Sequence, residues 1–162
     1  MKDINLLNAL SDNARLSVTD LKDILNSSEA EVEESIKRLE NSNIICGYHT
    51  VINWDKTNKD TVTAIIKIGA TPKRESGYDD VAAKIYRYPE VTSMYLVSGA
   101  TEFNVVLEGK TMREVSEFVA RKLAPIEGVT KTETHFVLKT YKIEGAVLVE
   151  EEIEYTRQIV ST

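Results

Sequence analysis

The order of apolar patterns between residues 61 and 142 leaves this chain few folds to choose from. Residues 61–70 (TVTAIIKIGA) are rich in β-branched side chains and read as a strand. Tyr78, Val81, Ala82 and Ile85 then recur at helical spacing, and Pro89 marks where that helix ends. Residues 91–99 form a second strand, Ala100 and Thr101 a turn, and residues 102–108 a third strand. In that third strand Phe103, Val105 and Leu107 share one face, with Glu102, Asn104 and Val106 on the other. Gly109 breaks it. Thr111 caps a second helix, Glu114 completes a capping box, and Met112, Val115, Val119 and Leu123 form its buried stripe. Residues 129–142 read as a long fourth strand.

The order β-α-β-β-α-β is that of the ferredoxin-like split unit, an antiparallel sheet with two helices on one face. The other face is then uncovered. On the fourth strand Thr132, Thr134, Phe136 and Leu138 share a side, and we assign it to that open face. A half-apolar open sheet predicts a homodimer with the sheets facing each other.

Ahead of this unit lie three short helical patterns. The first, from residue 3 to 10, carries Ile4, Leu6, Leu7 and Leu10. The second starts at a cap on Ser17 or Thr19 and points Val18, Leu21, Ile24 and Leu25 inward. The third opens on Ser28 with Glu31 as a capping box and carries Val32, Ile36 and Leu39 as its apolar stripe. Asn43 suits the left-handed position that ends a helix. Residues 44–48 (IICGY) and 51–55 read as a following strand. Helices this short must pack on one another to persist. The arrangement is a winged helix-turn-helix, a known DNA-binding form and also a packing solution without DNA. The whole is therefore α+β. Residues 1–56 form the helical domain, 61–142 the sheet domain, and 143–162 an acidic arm. In that arm residues 146–149 suit a short strand, Glu150–Glu152 a solvated acidic run, and 155–160 an extended segment.

Charge separates these regions. Residues 1–56 hold 6 Lys and Arg against 10 Asp and Glu; residues 57–142 hold 13 against 11; residues 143–162 hold 1 against 5. A net −4 in the helical domain opposes indiscriminate phosphate binding. Glu29, Glu31, Glu33 and Glu34 crowd the start of the third helix, where negative charge also interacts well with the helix dipole. Nothing in the chain resembles an apolar membrane span or a secretory leader. Cys46 is the sole cysteine, which fits a cytoplasmic protein. His49 and His135 lie in different domains without ligand-like neighbours, and no phosphate-binding glycine motif is present. No catalytic residue, metal or cofactor is expected.

Taken together, these patterns resemble the Lrp/AsnC (feast/famine) family of prokaryotic transcription regulators. The residues that carry the resemblance begin with Asp12-Asn13-Ala14-Arg15-Leu16-Ser17, Arg38-Leu39-Glu40 and Ile45-Cys46-Gly47-Tyr48. In the second unit they are Tyr88-Pro89-Glu90-Val91, the run from Val97 to Phe103, Gly128-Val129 and Thr132-Glu133-Thr134. The resemblance implies double-stranded DNA as a partner and self-assembly as a homodimer or larger oligomer. It also implies an amino acid or related metabolite as effector, and no role at a membrane. DNA would be met by Arg15, Lys22, Ser27, Ser28, Glu31, Ser35, Lys37 and Arg38. The effector would be met by Ser98, Gly99, Ala100, Thr101 and Glu102, with Thr132 and Thr134 across an interface. Glu102 would pair with the ammonium; backbone N–H groups of the turn and the hydroxyls would hold the carboxylate. Two positions depart from the family pattern: Glu102 stands where Asp is usual, and Ser35 where Arg is usual. The alternative reading is a metabolite-binding or protein-interaction oligomer whose helical domain no longer reads DNA.

Overall fold

The structure is a computed structural model and describes residues 3–149. It divides between Ile52 and Asn53 into two compact units.

The first unit contains α1 (Asp3–Asp12), α2 (Val18–Leu25) and α3 (Glu29–Asn41). Their shared core is Leu6, Leu10, Leu21, Val32 and Leu39. Local chemistry sets the helix ends. Ser17 caps α2 by accepting from the Asp20 N–H, and the Asp20 carboxylate accepts in return from the Ser17 N–H. Asn26 then takes a left-handed conformation (φ 48°) to end α2, and Ser28 with Glu31 repeats the capping box on α3. Asn43 is also left-handed (φ 54°). It turns the chain so that the N–H groups of Ile44 and Ile45 both reach the Leu39 carbonyl.

Three expectations change here. Ile4 and Ile24 are exposed, because a core of three short helices is narrower than their apolar stripes. Residues 43–53 form no strand. A strand needs a ladder partner, and the only strand pairs described in this chain lie from Val62 onward. Ile44, Tyr48, Val51 and Ile52 are left at the surface. Past them, a single 3-10 turn spans Trp54–Lys56.

The second unit follows the expected order: β1 (Val62–Ala70), α4 (Asp79–Ile85), β2 (Val91–Leu96), β3 (Phe103–Gly109), α5 (Met112–Phe118) and β4 (Val129–Phe136). Its sheet is antiparallel in the order β2-β3-β1-β4. A π-helical turn, Val119–Leu123, extends α5. The core joins Ala64, Ile66 and Ile68 of β1 to Val105 and Leu107 of β3, and to Val81, Ile85 and Val115 of the helices. Phe103 sits edge-on to Tyr78 at 5.8 Å, and Tyr88 edge-on to Phe118 at 5.2 Å. Met112 is exposed rather than buried; Val115, Val119 and Leu123 carry that face. The Glu114 carboxylate accepts from the Lys110 N–H, one residue before the cap that was expected to receive it.

The register reverses one assignment. Thr132 lies opposite Ile68, Thr134 opposite Ile66 and Phe136 opposite Ala64. Directly paired residues share a face, so these side chains belong to the helix-covered side. The open side instead carries Ile65, Lys67, Asn104, Val106, Glu133 and His135. The fourth strand also stops at Phe136. A short hairpin follows, β5 (Lys142–Ile143) and β6 (Ala146–Val147), turning through Glu144 and Gly145 at positive φ. The acidic run 150–152 and the segment 155–160 lie outside the described residues.

Candidate functional site

Two places gather the sequence-predicted site residues, one in each unit. In the first, the α2–turn–α3 corner is fixed by side chains that were expected to meet DNA. Ser28 and Glu31 are occupied with capping: the Glu31 carboxylate accepts from the Ser28 N–H at 2.9 Å, and the Ser28 hydroxyl from the Glu31 N–H at 3.3 Å. The backbone N–H of Ser28, with its hydroxyl behind it, holds the Glu31 carboxyl below its ordinary value. The Ser27 hydroxyl bonds the Leu25 carbonyl, and Ser35 is half-buried.

Two of the expected cations are engaged as well. Lys22 meets Glu29 at 2.8 Å, which lowers the Glu29 pKa, with the Thr19 hydroxyl contributing to the shift. Arg38 meets Asp3 of α1 at 2.7 Å. Both pairs are exposed, so each adds little stability; their consequence is to neutralise charge beside α3. Among the described residues Arg15 and Lys37 are in no ion pair, and both are exposed. Glu40 accepts from the Tyr48 hydroxyl at 2.9 Å. Among the α3 carboxylates this leaves Glu33 and Glu34 without a hydrogen bond to any described residue.

The exposed side of α3 is a shallow groove lined by Ala30, Glu33, Glu34, Lys37, Arg38 and Asn41. Ala30, Glu34, Lys37 and Asn41 fall at i, i+4, i+7 and i+11, opposite the core stripe of Val32, Ile36 and Leu39. That spacing was visible in the sequence, yet of these four only Lys37 was expected to meet DNA, and Glu34 was noted only as one of the acids at the start of the helix.

In the second unit the turn after β2 is closed by the Val97 N–H donating to the Glu102 carbonyl at 2.8 Å. Glu102 also ties this turn to the end of β1. Its N–H donates to the Ile68 carbonyl at 3.1 Å, and its carboxylate accepts from the Ala70 N–H at 2.7 Å. Ser98, Gly99 and Ala100 are exposed, and a side chain built at Gly99 would meet nothing. Thr101 is buried. One carboxylate oxygen of Glu102 is therefore committed to the fold, and the other accepts no hydrogen bond among the described residues. Thr132 and Thr134 do not join this turn within one chain. β1 separates β3 from β4, so Thr132 stands two strand spacings from Phe103, about 10 Å.

Among the described residues no group of three or more His, Cys, Asp or Glu side chains is placed to hold a metal, and no helix is long and apolar enough to cross a membrane.

Comparison with known proteins matches both units. Residues 2–40 match the model of the AsnC-type helix-turn-helix domain, and residues 63–147 that of the Lrp/AsnC ligand binding domain. The second match takes in the β5–β6 hairpin. The chain is 39% identical over 147 residues to the HTH-type transcriptional regulator YugG of Bacillus subtilis, covering 90% of this chain and 89% of that one. It is 31% identical over 141 residues to the HTH-type transcriptional regulator LrpA of Pyrococcus abyssi, covering 87% and 97%. Among solved structures, a Neisseria meningitidis transcriptional regulator in complex with L-Met superposes with a TM-score of 0.67 at 27% identity, covering 87% of this chain and 90% of that one.

Proposed function

Because this chain belongs to the Lrp/AsnC family of transcription regulators, we propose that it binds double-stranded DNA as an oligomer and that an amino acid or related metabolite bound to its sheet unit tunes this binding. The observation that carries the reading is the presence of both family domains, in order, on one chain. The chemistry fits. Each helical unit offers few free cations, since Lys22 and Arg38 are paired internally. A single unit is then a weak DNA ligand, and two or more held together gain through effective concentration. The open face of the sheet supplies the means of assembly, with Ile65 beside Val106 and His135 at its centre.

The ligand reading rests on the 98–102 turn. Its exposed backbone and the remaining Glu102 oxygen suit an α-amino acid's carboxylate and ammonium. The L-Met complex of the Neisseria relative supports that class of ligand. Because Thr132 and Thr134 do not reach the turn within one chain, their part in the site falls to a neighbouring copy.

Titrating the full chain against duplexes from its own upstream region tests the reading. We expect selective binding that weakens steeply with salt, and a rise in melting temperature with one class of amino acid. An intact oligomer that binds none of these duplexes at low salt would refute the DNA reading. Ile65→Asp should split the oligomer and weaken DNA binding together; unchanged DNA affinity in the split protein would remove the role of assembly.

A further inference from the structure

We propose that Glu34 is a base-reading residue of α3 and selects a cytosine at one position of the DNA half-site. The inference rests on the DNA-binding reading above and deepens it.

Carboxylates on a helix that approaches phosphates need an explanation, and most of those on α3 have one inside the protein. Glu29 is spent on Lys22 and Thr19, Glu31 on the capping box, and Glu40 on Tyr48. Among the described residues Glu33 and Glu34 have no hydrogen-bond partner, and Glu34 acts on Arg38 through charge alone, helping Asp3 to raise its pKa. Of the two, Glu34 lies on the outermost line of the helix. Helical spacing puts Ala30, Glu34, Lys37 and Asn41 on one stripe opposite Val32, Ile36 and Leu39, and these four all line the exposed groove. Glu33 lies on the flank. Ala30, one turn before Glu34, is the smallest residue of the stripe and lets the helix approach closely at that point. Lys37, one turn later, supplies a cation that is in no ion pair among the described residues.

A carboxylate at the centre of such a face can only accept. In the major groove, guanine and thymine present acceptors, which repel it. Adenine presents an amino donor flanked by the N7 acceptor. Cytosine presents its N4 amino group as a donor. Glu34 is therefore attracted to one base and opposed to the rest, and it is repelled by every phosphate. It trades general affinity for discrimination, a specificity device that acts through the wrong partners.

The experiment is selection of bound duplexes from a randomised library by the full chain and by its Glu34→Gln, Glu34→Ala and Glu33→Gln variants. Circular dichroism controls for folding, which these exposed positions should not affect. The native chain should enrich one cytosine column, by roughly tenfold over other bases. Glutamine pairs with adenine N6 and N7, so Glu34→Gln should move that single column from cytosine to adenine. Glu34→Ala should erase the preference, and Glu33→Gln should leave it in place. Both Glu34 variants should bind random DNA more tightly than the native chain. Identical preferred sequences for all four proteins, with affinity raised uniformly, would show that Glu34 acts only by repulsion and would overturn the inference. A native motif without a cytosine column would overturn it too, while leaving the regulator reading intact. Failure of the native chain to enrich any sequence would overturn both.

Discussion

The helix ends of the first unit are set by partners near in sequence, the strands of the sheet unit by partners far apart. Ser17 meets Asp20, Ser28 meets Glu31, and Asn26 and Asn43 turn the chain immediately after their helices. In the sheet unit Ile66 is held between Val105 and Thr134, each on a different strand. The first kind of contact is written in short motifs. The second depends on a register that no local stretch specifies. The two units should accordingly fail in different ways, and that difference can be tested.

The largest effect belongs to the sheet core. Phe103→Ala removes a buried ring packed edge-on against Tyr78 and should cost about 3–5 kcal/mol. Leu39→Ala in the helical core should cost about 2–5 kcal/mol. Denaturant unfolding followed by Trp54 fluorescence and far-UV circular dichroism separates them, since Trp54 belongs to the second unit. Phe103→Ala should move the fluorescence transition, and Leu39→Ala chiefly the helical signal. A common shift of both probes in either variant would show that the units unfold as one, and the contrast would fail.

Next comes a backbone position in the sheet unit. Gly128 sits at φ +98°, and a Cβ there would come within 2.7 Å of the buried Val81 side chain. Its carbonyl also accepts from the Thr71 N–H. Gly128→Ala should destabilise by about 2–3 kcal/mol through strain and overpacking together, read as a lower denaturation midpoint with the slope unchanged. A loss below the cost of an ordinary surface change would mean that the loop between α5 and β4 yields.

The helical counterpart is smaller. Ser28→Ala removes one half of the capping box on α3 and should cost about 1 kcal/mol. Hydrogen exchange at the Glu31 amide should quicken, while sheet amides keep their protection. Ser28→Asp restores an acceptor at the cap and should recover most of the loss. Exchange that quickens across both units would contradict their separation.

The same division explains what could be read from the residues alone. Capping signatures predicted the start of α3 correctly, and the alternation in Phe103, Val105 and Leu107 predicted the buried face of β3. The faces of β4 were not legible. Thr132 and Thr134 are polar and β-branched, and such residues suit either side of a sheet; only pairing with Ile68 and Ile66 decides. Ile4 and Ile24 fit a helical stripe yet stay exposed, because the width of a three-helix core is a tertiary property. At the candidate sites, the exposed 98–100 turn was visible in its glycine and small residues. The bond from the Ala70 N–H to Glu102 was not, since it joins groups on different strands. Likewise, no motif announces that Lys22 and Arg38 are spent on Glu29 and Asp3.

The smallest effect is acid sensitivity, and it should fall unevenly. In the helical unit Asp3, Asp20, Glu29 and Glu31 all have lowered pKa values. The leading causes are the hydrogen bond from Arg38 to Asp3, from the Ser17 hydroxyl to Asp20, from Lys22 to Glu29, and from the Ser28 N–H to Glu31. In the larger sheet unit the described carboxylates with such shifts are Asp80, held by Ser76 and Lys73, and Glu133, held by Lys131 and His135. A carboxylate with a depressed folded pKa stabilises fully above its unfolded value. That contribution is lost as pH falls through the folded value. The ordinary values are 3.8 for Asp and 4.5 for Glu, so the loss should develop between about pH 5 and pH 2. Every group is exposed or half-exposed, so added salt should shrink the ion-paired part of the effect and leave the capping part largely in place. On acidification the helical signal should fall before the Trp54 emission shifts. If Trp54 responds first, strand pairing in the sheet unit, rather than the carboxylate contacts of the helices, is the more acid-sensitive of the two ways this chain is held together.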